Sequence, residues 1–458
     1  MRIALVLCPV LYKRCPLIGL GYLSSCLKSR GHDVDIFDLN TMIEIEHEGR
    51  EDYWGDGRFV ERYISSNLGL LGSLVEKILK SDAEIIGFSI WSTTKFLSLA
   101  IARMIKRRDG NKFIVFGGPE CSFSARELIA DDAVDIVVNG EGEETFDEIV
   151  GLYKKHKRVD FCAGTIVKNN GKIVNCGIRP EIEDLDSIPF PDYSGFLLDR
   201  YYLSDFLPIT FYRGCSKRCV FCNASVTWRR FRSRSAENIY EEMSYRKKMY
   251  PNLRKFEVDD TALNLNLKMV DRLCELMPVN GLGVDWGGAA IIHPDMDLGL
   301  LKKMAKTGCR SLAYGLESGS QNVINSMKKN FSIEDAQRLI RDTHSVGIEV
   351  DLNIVIGFPN ETDYDFQQTI EFIKRNREFI TFVSFPSECW IGNQTYLHTH
   401  PEEFDVELRE GGNRWQTKDG MNTPQLRKRR IKIFNDFISS LGLTLHNYAT
   451  TIKGSTSK

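Results

Sequence analysis

RGCSKRCVFCN, residues 213–223, places three cysteines at spacings of four and three, with no fourth cysteine beside them. The thiolates of Cys215, Cys219 and Cys222 suit an iron–sulfur cluster or structural zinc. Three thiolates on a four-iron cluster leave one iron open to another ligand. Zinc needs a fourth protein ligand, and this loop contains no histidine. The spacing therefore favours a reactive cluster over a structural zinc site.

The cysteine loop follows the first of several apolar, strand-like runs that alternate with helical stretches. These runs are ITFYRG, KFEVDD, GVDWGGAA, CRSLAYGLES, EVDLNIVIGFP and TFVSFPSE. The alternation predicts a partial (β/α)6 barrel over residues 206–395, with its chemistry at the carboxyl ends of the strands. The more polar residues 396–458 are predicted to form a small C-terminal cap region with a helix near 424–441.

A second alternating pattern occupies the first 160 residues. Apolar runs such as RIALVLCP, EIIGFSI and FIVFGGPE are each followed by a helical stretch. They predict an α/β domain over residues 1–160, built on a doubly wound parallel sheet. Ligands of such sheets bind beyond the carboxyl ends of the strands. Residues 161–205, with a hairpin around Asn-Asn-Gly and the prolines of LDSIPFPDY, are predicted as a linker.

Composition excludes several classes of protein. The 458 residues contain 60 Lys+Arg and 62 Asp+Glu, a net charge of -2. This balance argues against a general electrostatic grip on nucleic acid or on an anionic membrane. The sequence contains no run of about 18 apolar residues, so no membrane span is predicted. The 12 cysteines are scattered rather than arranged as a disulfide framework, so we expect a reducing cytoplasm.

CSKRCVFC resembles the CxxxCxxC signature of the radical S-adenosylmethionine (SAM) superfamily. GLESGS and IGFP follow it in the order found in that barrel. The stretches PLIGLGYLSSCLKSRGHDVDIFD, IVFGGPE and VNGEGEETF resemble the cobalamin-binding-type domain that precedes the barrel in one branch of the superfamily. That branch includes methyltransferases acting on unactivated carbon, a ring cyclase of anaerobic bacteriochlorophyll synthesis and ring-contracting enzymes.

The resemblance implies a four-iron four-sulfur cluster on Cys215, Cys219 and Cys222. SAM would bind the open iron, and one electron from flavodoxin or ferredoxin would cleave it to a deoxyadenosyl radical. That radical would attack an unactivated C–H of a small metabolite or natural-product intermediate. By similarity, Asp259 and Asp260 contact the amino group of SAM. Glu317 and Ser318 contact its ribose, and Gly357 contacts its adenine. The implied SAM contacts are Phe221, Asp259, Asp260, Glu317, Ser318 and Gly357.

One departure from the family pattern stands out. Many relatives carry an arginine for the SAM carboxylate after the third strand, where this chain has Ile291, with His293 nearby as a weak substitute. The D-x-H-x-x-G motif, with which some cobalamin domains present a histidine to cobalt, is absent from the sequence, as it usually is in this branch. Cobalamin is therefore expected to bind without a protein histidine. Its predicted contacts, which also suit ordinary strand–helix turns, are Tyr12, Ser89, Gly117, Gly118, Glu141 and Gly142.

Substrate contacts are predicted in the cap region at Tyr396, His398 and Trp415, although these side chains also suit packing of the cap. The favoured function is cobalamin-dependent C-methylation, cyclisation or rearrangement. The alternative is a radical SAM dehydratase, epimerase or oxidase whose first domain does not use cobalamin. An RNA modifier is disfavoured by the charge balance. A non-enzymatic interaction module is disfavoured by the open-iron triplet.

Overall fold

The structure is a computed structural model that describes residues 1–9, 14–43, 54–169, 171–279, 281–384, 386–409 and 412–446. The chain divides into two compact units, Met1–Ser204 and Asp205–Lys458. Within the described ranges, no helix is both long and apolar enough to cross a lipid bilayer.

The first unit is built on one seven-stranded sheet in the order β2-β1-β3-β4-β5-β6-β7. The first five strands are parallel, whereas β6 and β7 join the edge antiparallel. The prediction of a parallel α/β sheet is confirmed, and the predicted Asn-Asn-Gly hairpin extends it. The strands are β1 (Arg2–Leu7), β2 (Asp33–Asp38), β3 (Ile85–Ser89), β4 (Phe113–Gly117), β5 (Ile136–Val138), β6 (Thr165–Asn169) and β7 (Lys172–Asn175).

Helices cover both faces of this sheet, which explains why its central strands are continuous apolar runs. Ala4 and Val6 of β1 face the core beneath helices α3 to α6, while α1 packs with α7 on the other face. On α5, Leu97, Ile101 and Ile105 are buried at a helical spacing. The helices are α1 (Ile18–Ser29), α2 (Leu39–Met42), α3 (Gly57–Ser66), α4 (Leu68–Leu79), α5 (Lys95–Arg108), α6 (Cys121–Ala130) and α7 (Gly142–His156).

The second unit contains the predicted partial barrel. Its parallel strands follow the order β8-β11-β12-β13-β14-β15, and β19 adds a seventh strand beside β15. Five of the six predicted barrel strands are confirmed, whereas the run ITFYRG begins only at Ile209, the last residue of β8, and its Tyr212–Arg213 pairs with β10 outside the barrel sheet. The strands are β8 (Phe206–Ile209), β9 (Tyr212–Arg213), β10 (Arg232–Ser233), β11 (Lys255–Val258), β12 (Asp285–Ile291), β13 (Cys309–Glu317), β14 (Glu349–Ile356), β15 (Phe382–Ser384), β16 (Ser387–Glu388), β17 (Val406–Glu407), β18 (Gln416–Thr417) and β19 (Thr444–His446).

Side chains on the central strands alternate between two environments. On β13, Leu312, Tyr314 and Leu316 are buried, and the Tyr314 hydroxyl hydrogen-bonds Thr343 of α13. The alternate residues of β13 are half-buried and line the interior of the barrel. The helices are α8 (Ala224–Thr227), α9 (Ala236–Met249), α10 (Leu267–Leu276), α11 (Leu298–Lys306), α12 (Gln321–Ser326), α13 (Ile333–Ser345), α14 (Asp363–Asn376), α15 (Tyr396–Thr399) and α16 (Pro424–Ser440).

Candidate functional site

The three cysteines lie on the loop that joins β9 to α8. The backbone N–H of Lys217 donates to the Cys215 Sγ at 3.4 Å, and that of Ala224 donates to the Cys222 Sγ at 3.4 Å. The Cys222 N–H also donates to the Cys219 carbonyl at 3.2 Å, which tightens the turn. Amide donors of this kind stabilise negative charge on sulfur, and they are part of what tunes an iron–sulfur cluster.

Two distant segments support the cysteine loop at Val220. The Val220 N–H donates to the Met327 carbonyl at 3.2 Å, and the Val220 carbonyl accepts from the Leu397 N–H at 2.9 Å. Val220 is buried in an apolar cluster with Met327 and Leu397, and Phe221 packs against this cluster. Phe221 therefore forms part of the apolar wall beside the cysteines.

The donor set fits a cluster better than a single ion. Among the described residues, no three His, Cys, Asp or Glu side chains converge closely enough to hold one metal ion. A cubane binds each of three thiolates to a different iron, so its cysteine sulfurs stand further apart than ligands of one zinc ion. Burial raises the pKa of Cys219 to about 11 and also raises that of Cys222, whereas Lys329 opposes both shifts. Binding iron would deprotonate these thiols.

The two aspartates after β11 occupy different environments. Asp260 accepts hydrogen bonds at Oδ2 from the N–H groups of Phe211 (2.6 Å) and Tyr212 (3.2 Å). Burial raises the pKa of Asp260 well above its ordinary value, although these amide contacts oppose the shift. Asp259 is exposed at the carboxyl end of the strand. Asp260 thus anchors the entry to the cysteine loop, and Asp259 is the carboxylate that a ligand can reach.

The neighbouring residues Glu317 and Ser318 also lie in different environments. Ser318 is fully buried, where its Oγ hydrogen-bonds the Thr369 Oγ1 at 3.1 Å and accepts from the Ser320 N–H at 3.1 Å. Glu317 has a φ of +67°, in the left-handed region that is rare for a residue with a Cβ. The strand pairing shifts register at this point. The irregularity turns Glu317 toward Lys329, whose Nζ lies 2.7 Å from its Oε1.

Gly357 is a glycine for a reason that the sequence did not reveal. Its φ is +79°, and a Cβ there would lie 2.3 Å from the Cγ of Arg427. Its N–H donates to the Glu361 Oε1 at 3.1 Å, and its carbonyl accepts from the Asn422 Nδ2 at 3.2 Å. The Arg427 side chain of α16 therefore fills the space on the Cβ side of Gly357, and the adenine contact of Gly357 stays a prediction.

The backbone of Ile291, at the end of the third barrel strand, is held by the side chain of Asn264. The Asn264 side chain accepts from the Ile291 N–H and donates to the Ile291 carbonyl, both at 2.9 Å. His293 is half-buried, and its Nδ1 accepts from the Asp295 N–H at 3.3 Å. Burial and the nearby Lys217 lower the pKa of His293, which favours the neutral ring. Ile291 therefore offers no charge to a ligand, and His293 is a turn residue.

The predicted substrate residues of the cap region divide into core and surface. Trp415 is 1% exposed, its Nε1–H donates to the Cys389 carbonyl at 2.8 Å, and the Arg427 guanidinium lies 3.8 Å from the ring centre. Tyr396 is partly exposed, and its hydroxyl donates to the Glu403 Oε1 at 2.8 Å. His398 is half-buried on the same short helix. Trp415 packs the region, which leaves Tyr396 and His398 accessible.

In the first unit, Ser89 and Gly117 lie side by side where β3 and β4 end. The Ile90 N–H donates to the Gly117 carbonyl at 2.6 Å. A Cβ on Gly118, whose φ is +105°, would lie 2.8 Å from the backbone of Ile90. This glycine is therefore explained by the strand–helix turn itself. A Cβ on Gly117 would meet only an ordinary contact, with the Val138 Cβ at 3.7 Å.

Glu141 and Gly142 serve the packing of the first unit. Glu141 is buried, and its Oε2 accepts from the Ile182 N–H at 2.6 Å. A Cβ on Gly142 would lie 3.0 Å from the Leu23 Cδ2 of α1. Tyr12 lies outside the described residues. Ser89 and Gly117 lie at the carboxyl edge of the sheet, where ligands of such sheets bind, and their contact with cobalamin stays a prediction.

Lys329 is the residue of this site that the sequence analysis missed. Its Nζ donates to the Gly315 carbonyl at 2.6 Å and pairs with Glu317, and the side chain is 8% exposed. The sequence contains a signal for this lysine. The short helix α12 follows β13 directly, and Met327, Lys328 and Lys329 come straight after it. A lysine at that position reaches the edge where Glu317 and the cysteines lie.

Family models match both units. The B12 binding domain model matches residues 5–150, and the radical SAM superfamily model matches residues 209–373. The uncharacterized methyltransferase PH0819 of Pyrococcus horikoshii is 29% identical over 82% of this chain and 78% of its own length. The anaerobic magnesium-protoporphyrin IX monomethyl ester cyclase of Cereibacter sphaeroides is 24% identical over 65% of this chain and 50% of its own.

Solved structures show the same fold. The radical SAM methyltransferase TsrM of Kitasatospora setae, with cobalamin and a 4Fe-4S cluster bound, matches with a TM-score of 0.69 and 16% identity, covering 94% of this chain and 81% of that one. OxsB, a cobalamin-dependent radical SAM enzyme, matches with a TM-score of 0.65 and 19% identity. The match covers 88% of this chain and 56% of the OxsB chain. OxsB has also been solved with aqua-cobalamin and S-adenosylmethionine bound. The chain therefore contains a B12-binding domain at residues 5–150 followed by a radical SAM domain at residues 209–373.

Proposed function

We propose that this chain is a cobalamin-dependent radical SAM methyltransferase that adds a methyl group to an unactivated carbon of a small metabolite or natural-product intermediate. One observation carries the proposal: a loop of three cysteines that leaves an iron open lies in a chain that also contains a B12-binding domain. The match to PH0819, which is named a methyltransferase, supports methyl transfer.

The cofactors define what the protein has to provide. When bound, the cluster supplies one electron to cleave SAM into methionine and a deoxyadenosyl radical, and cobalamin supplies the methyl group. The residues of the barrel then have to orient SAM, hold its charged groups and keep the cysteine loop in place. The support of Val220 by Met327 and Leu397 serves the last of these tasks.

Lys329 is our candidate for binding the SAM carboxylate. This chain has Ile291 at the position where many relatives carry an arginine for that group. An ammonium has three N–H donors. Lys329 uses one on Gly315 and one on Glu317, and among the described residues the third has no partner. A lysine whose side chain is 8% exposed and which has a spare donor suits a carboxylate ligand.

Glu317 and Asp259 are the candidates for the other polar groups of SAM. Glu317 gives one carboxylate oxygen to Lys329, and the other oxygen remains for hydroxyl donors such as those of a ribose. Asp259 is exposed at the neighbouring strand end and suits a cationic amine. Ser318 and Asp260 support this arrangement through the contacts that they make with the backbone and Thr369.

The C-terminal helix favours a small substrate over RNA. Its basic run RKRRIK spans residues 427–432. Two of its arginines are buried in ion pairs, Arg427 with Glu388 and Arg430 with Glu361, each at 2.8 Å. Because these two arginines are neutralised by glutamates, they do not form a phosphate-binding face. Tyr396 and His398 remain our candidates for substrate contact.

The proposal also concerns the cell compartment and the electron source. No disulfide joins any two cysteines among the described residues, which suits a reducing cytoplasm. We propose flavodoxin or ferredoxin as the electron donor, because SAM cleavage needs one electron at low potential.

The test begins with cofactor content. The chain is purified without oxygen, its cluster is reconstituted, hydroxocobalamin is added, and iron, sulfide and cobalamin are measured after desalting. We expect about four irons and about one cobalamin per chain. The Cys219→Ala variant should lose iron and keep cobalamin, and Cys274→Ala, which changes a buried thiol of α10, should keep both.

The reaction is then followed with SAM carrying a deuterated methyl group. Incubation with candidate metabolites should give deoxyadenosine and a product heavier by the labelled methyl. Four irons without retained cobalamin, together with deoxyadenosine and no methylated product, would reject methyl transfer and favour a dehydratase, epimerase or oxidase. Absence of iron from the reconstituted wild-type chain would reject the radical SAM chemistry altogether.

A further inference from the structure

The loop after β14, residues 357–359, is held by two buried side chains. The Gly357 N–H donates to the Glu361 Oε1 at 3.1 Å. On the other side, the Asn422 Nδ2 lies within hydrogen-bonding distance of three successive carbonyls, those of Gly357 (3.2 Å), Phe358 (2.9 Å) and Pro359 (3.4 Å). Glu361 is 5% exposed and Asn422 is 2% exposed. The backbone of this loop therefore has little freedom to change shape.

Each of these side chains is held in turn by an arginine of α16. The Arg427 Nη1 donates to the Asn422 Oδ1 at 3.1 Å, and the Arg430 Nη1 donates to the Glu361 Oε1 at 2.8 Å. The two arginines are three residues apart, so they lie on one face of the helix, and both are buried. One face of α16 thus reaches both the carbonyl and the N–H of Gly357, through one intermediate side chain each.

The loop lies at the edge of the barrel where ligands bind. β14 pairs with β13, and the register places Glu317, at the end of β13, beside Ile354 of β14. Gly357 directly follows the last residue of β14. In barrels of parallel strands, the binding site lies at the carboxyl ends of the strands. The loop therefore belongs to the same edge as Glu317, our candidate for the hydroxyl groups of SAM.

Buried charges are an inefficient way to stabilise a fold, because replacing a buried ion pair by well-packed apolar side chains is often neutral or stabilising. What a charge-assisted hydrogen bond provides is a fixed position for the atoms that it joins. We propose that Arg427 and Arg430 are positioning residues for SAM, which fix residues 357–359 in the conformation that binds it. A loop that is already ordered costs less to bind, so the two arginines raise the affinity for SAM. The inference rests on the proposed function in requiring that the barrel bind SAM.

The test measures the order of the loop and the affinity for SAM separately, on the full-length chain with a reconstituted cluster. Hydrogen exchange, followed by mass spectrometry of the peptide that contains Gly357, reports the order of the loop. Calorimetry with the cluster oxidised gives the dissociation constant of SAM. Arg430→Met should speed exchange in this peptide and raise the dissociation constant about tenfold, because the loop then has to be ordered on binding. Iron content should not change.

Two further variants and the kinetics separate positioning from a general loss of structure. Arg430→Lys keeps a donor for Glu361 and should recover part of the affinity. Arg429→Met, at an exposed position of the same helix, is the matched control and should bind SAM as the wild type does. In deoxyadenosine formation, Arg430→Met should raise the KM for SAM and leave kcat near the wild-type value. A loss of affinity in Arg429→Met equal to that in Arg430→Met would overturn the inference, because any lost positive charge on α16 would then suffice.

Arg430→Met leaves the Glu361 carboxylate buried without its arginine, which destabilises a protein strongly. The double variant Glu361→Gln/Arg430→Met removes both charges and keeps an amide oxygen for the Gly357 N–H. It should fold, exchange faster in the loop and bind SAM more weakly. Asn422→Ala removes the side chain through which Arg427 acts, and it should weaken SAM binding as well.

The outcomes separate this inference from the proposed function. Wild-type affinity for SAM in the double variant would overturn the role of Arg430, and wild-type affinity in Asn422→Ala would overturn that of Arg427. A wild-type chain that binds no iron, or that binds iron and no SAM, would overturn the proposed function and this inference with it.

Discussion

Arg427 occupies the space that a side chain on residue 357 would need: its Cγ lies 2.3 Å from the Cβ position of Gly357. The contact locks the C-terminal helix onto the loop after β14. The same guanidinium pairs with Glu388 and donates to the carbonyls of Asn413 and Trp415. The loop after the fifth barrel strand and the C-terminal region thus form one packed structure.

Replacing Gly357 by alanine should therefore destabilise the chain strongly. The Cβ would clash with the Arg427 stem, in addition to the cost of a left-handed backbone, so we expect a loss of about 3 kcal/mol or more in the free energy of unfolding. Gly347→Ala is the matched control, because Gly347 has a φ of +80° and nothing within 4 Å of its Cβ position. It should lose about 1 kcal/mol. Equal losses in urea unfolding would mean that the Arg427 contact does not matter.

The two aspartates after β11 should separate loop support from ligand binding. Asp260→Ala removes the acceptor for the Phe211 and Tyr212 amides. It should lower the iron content of the reconstituted chain by releasing the cysteine loop. Asp259→Ala should leave iron content unchanged and weaken SAM binding, measured by calorimetry on the same samples. Loss of iron in both variants, or in neither, would contradict this division of roles.

Glu317→Gln should weaken SAM binding about tenfold, or about 1.4 kcal/mol, because a neutral amide accepts hydroxyl hydrogen bonds less strongly than a carboxylate. The comparison is Glu334→Gln, which changes an exposed glutamate in the first turn of α13. Binding is measured by calorimetry with the cluster oxidised, so that no SAM is consumed. An unchanged affinity in Glu317→Gln would remove Glu317 from the SAM site.

A pH-dependent contribution is expected from Asp192 in the first unit. Its carboxylate accepts from Lys28 (2.7 Å), Ser24 (2.8 Å) and the Ser194 N–H (2.9 Å). Burial opposes ionisation, but these hydrogen bonds outweigh it and lower the pKa of Asp192. The folded protein therefore holds the proton less tightly than the unfolded chain does. The resulting stability is present above the unfolded pKa of about 4 and is lost as pH falls through the lower folded pKa.

Asp192→Asn should accordingly cost about 1 kcal/mol near pH 7, and the difference from wild type should shrink as pH falls below about 4. Asp199→Asn, at an exposed position of the same segment, serves as the control. Unfolding is followed by urea titration at several pH values. A difference between Asp192→Asn and wild type that grows on acidification would contradict the assignment.

The parts predicted from sequence are those encoded by local patterns. The apolar runs predicted five of the six barrel strands, whereas the first run, ITFYRG, starts at the last residue of β8. The cysteine loop follows that run, as predicted. β19 was missed because Thr444–His446 is only three residues long and mostly polar. The reasons for Gly357 and Trp415 were missed because both depend on Arg427, a partner that no spacing rule connects to them. Asp259 and Asp260 are adjacent in sequence, so only the fold distinguishes the exposed carboxylate from the one that caps the loop.

The support of Val220 by Leu397 also has a consequence for biosynthesis. A ribosome makes the cysteine loop long before it makes α15, which contacts the loop through Leu397, and β19, which pairs with the edge of β15. Until those segments emerge, the loop lacks the Leu397 contact at Val220 and β15 presents an unpaired edge. Iron delivery is thus favoured after translation is complete, when the loop has reached its final shape.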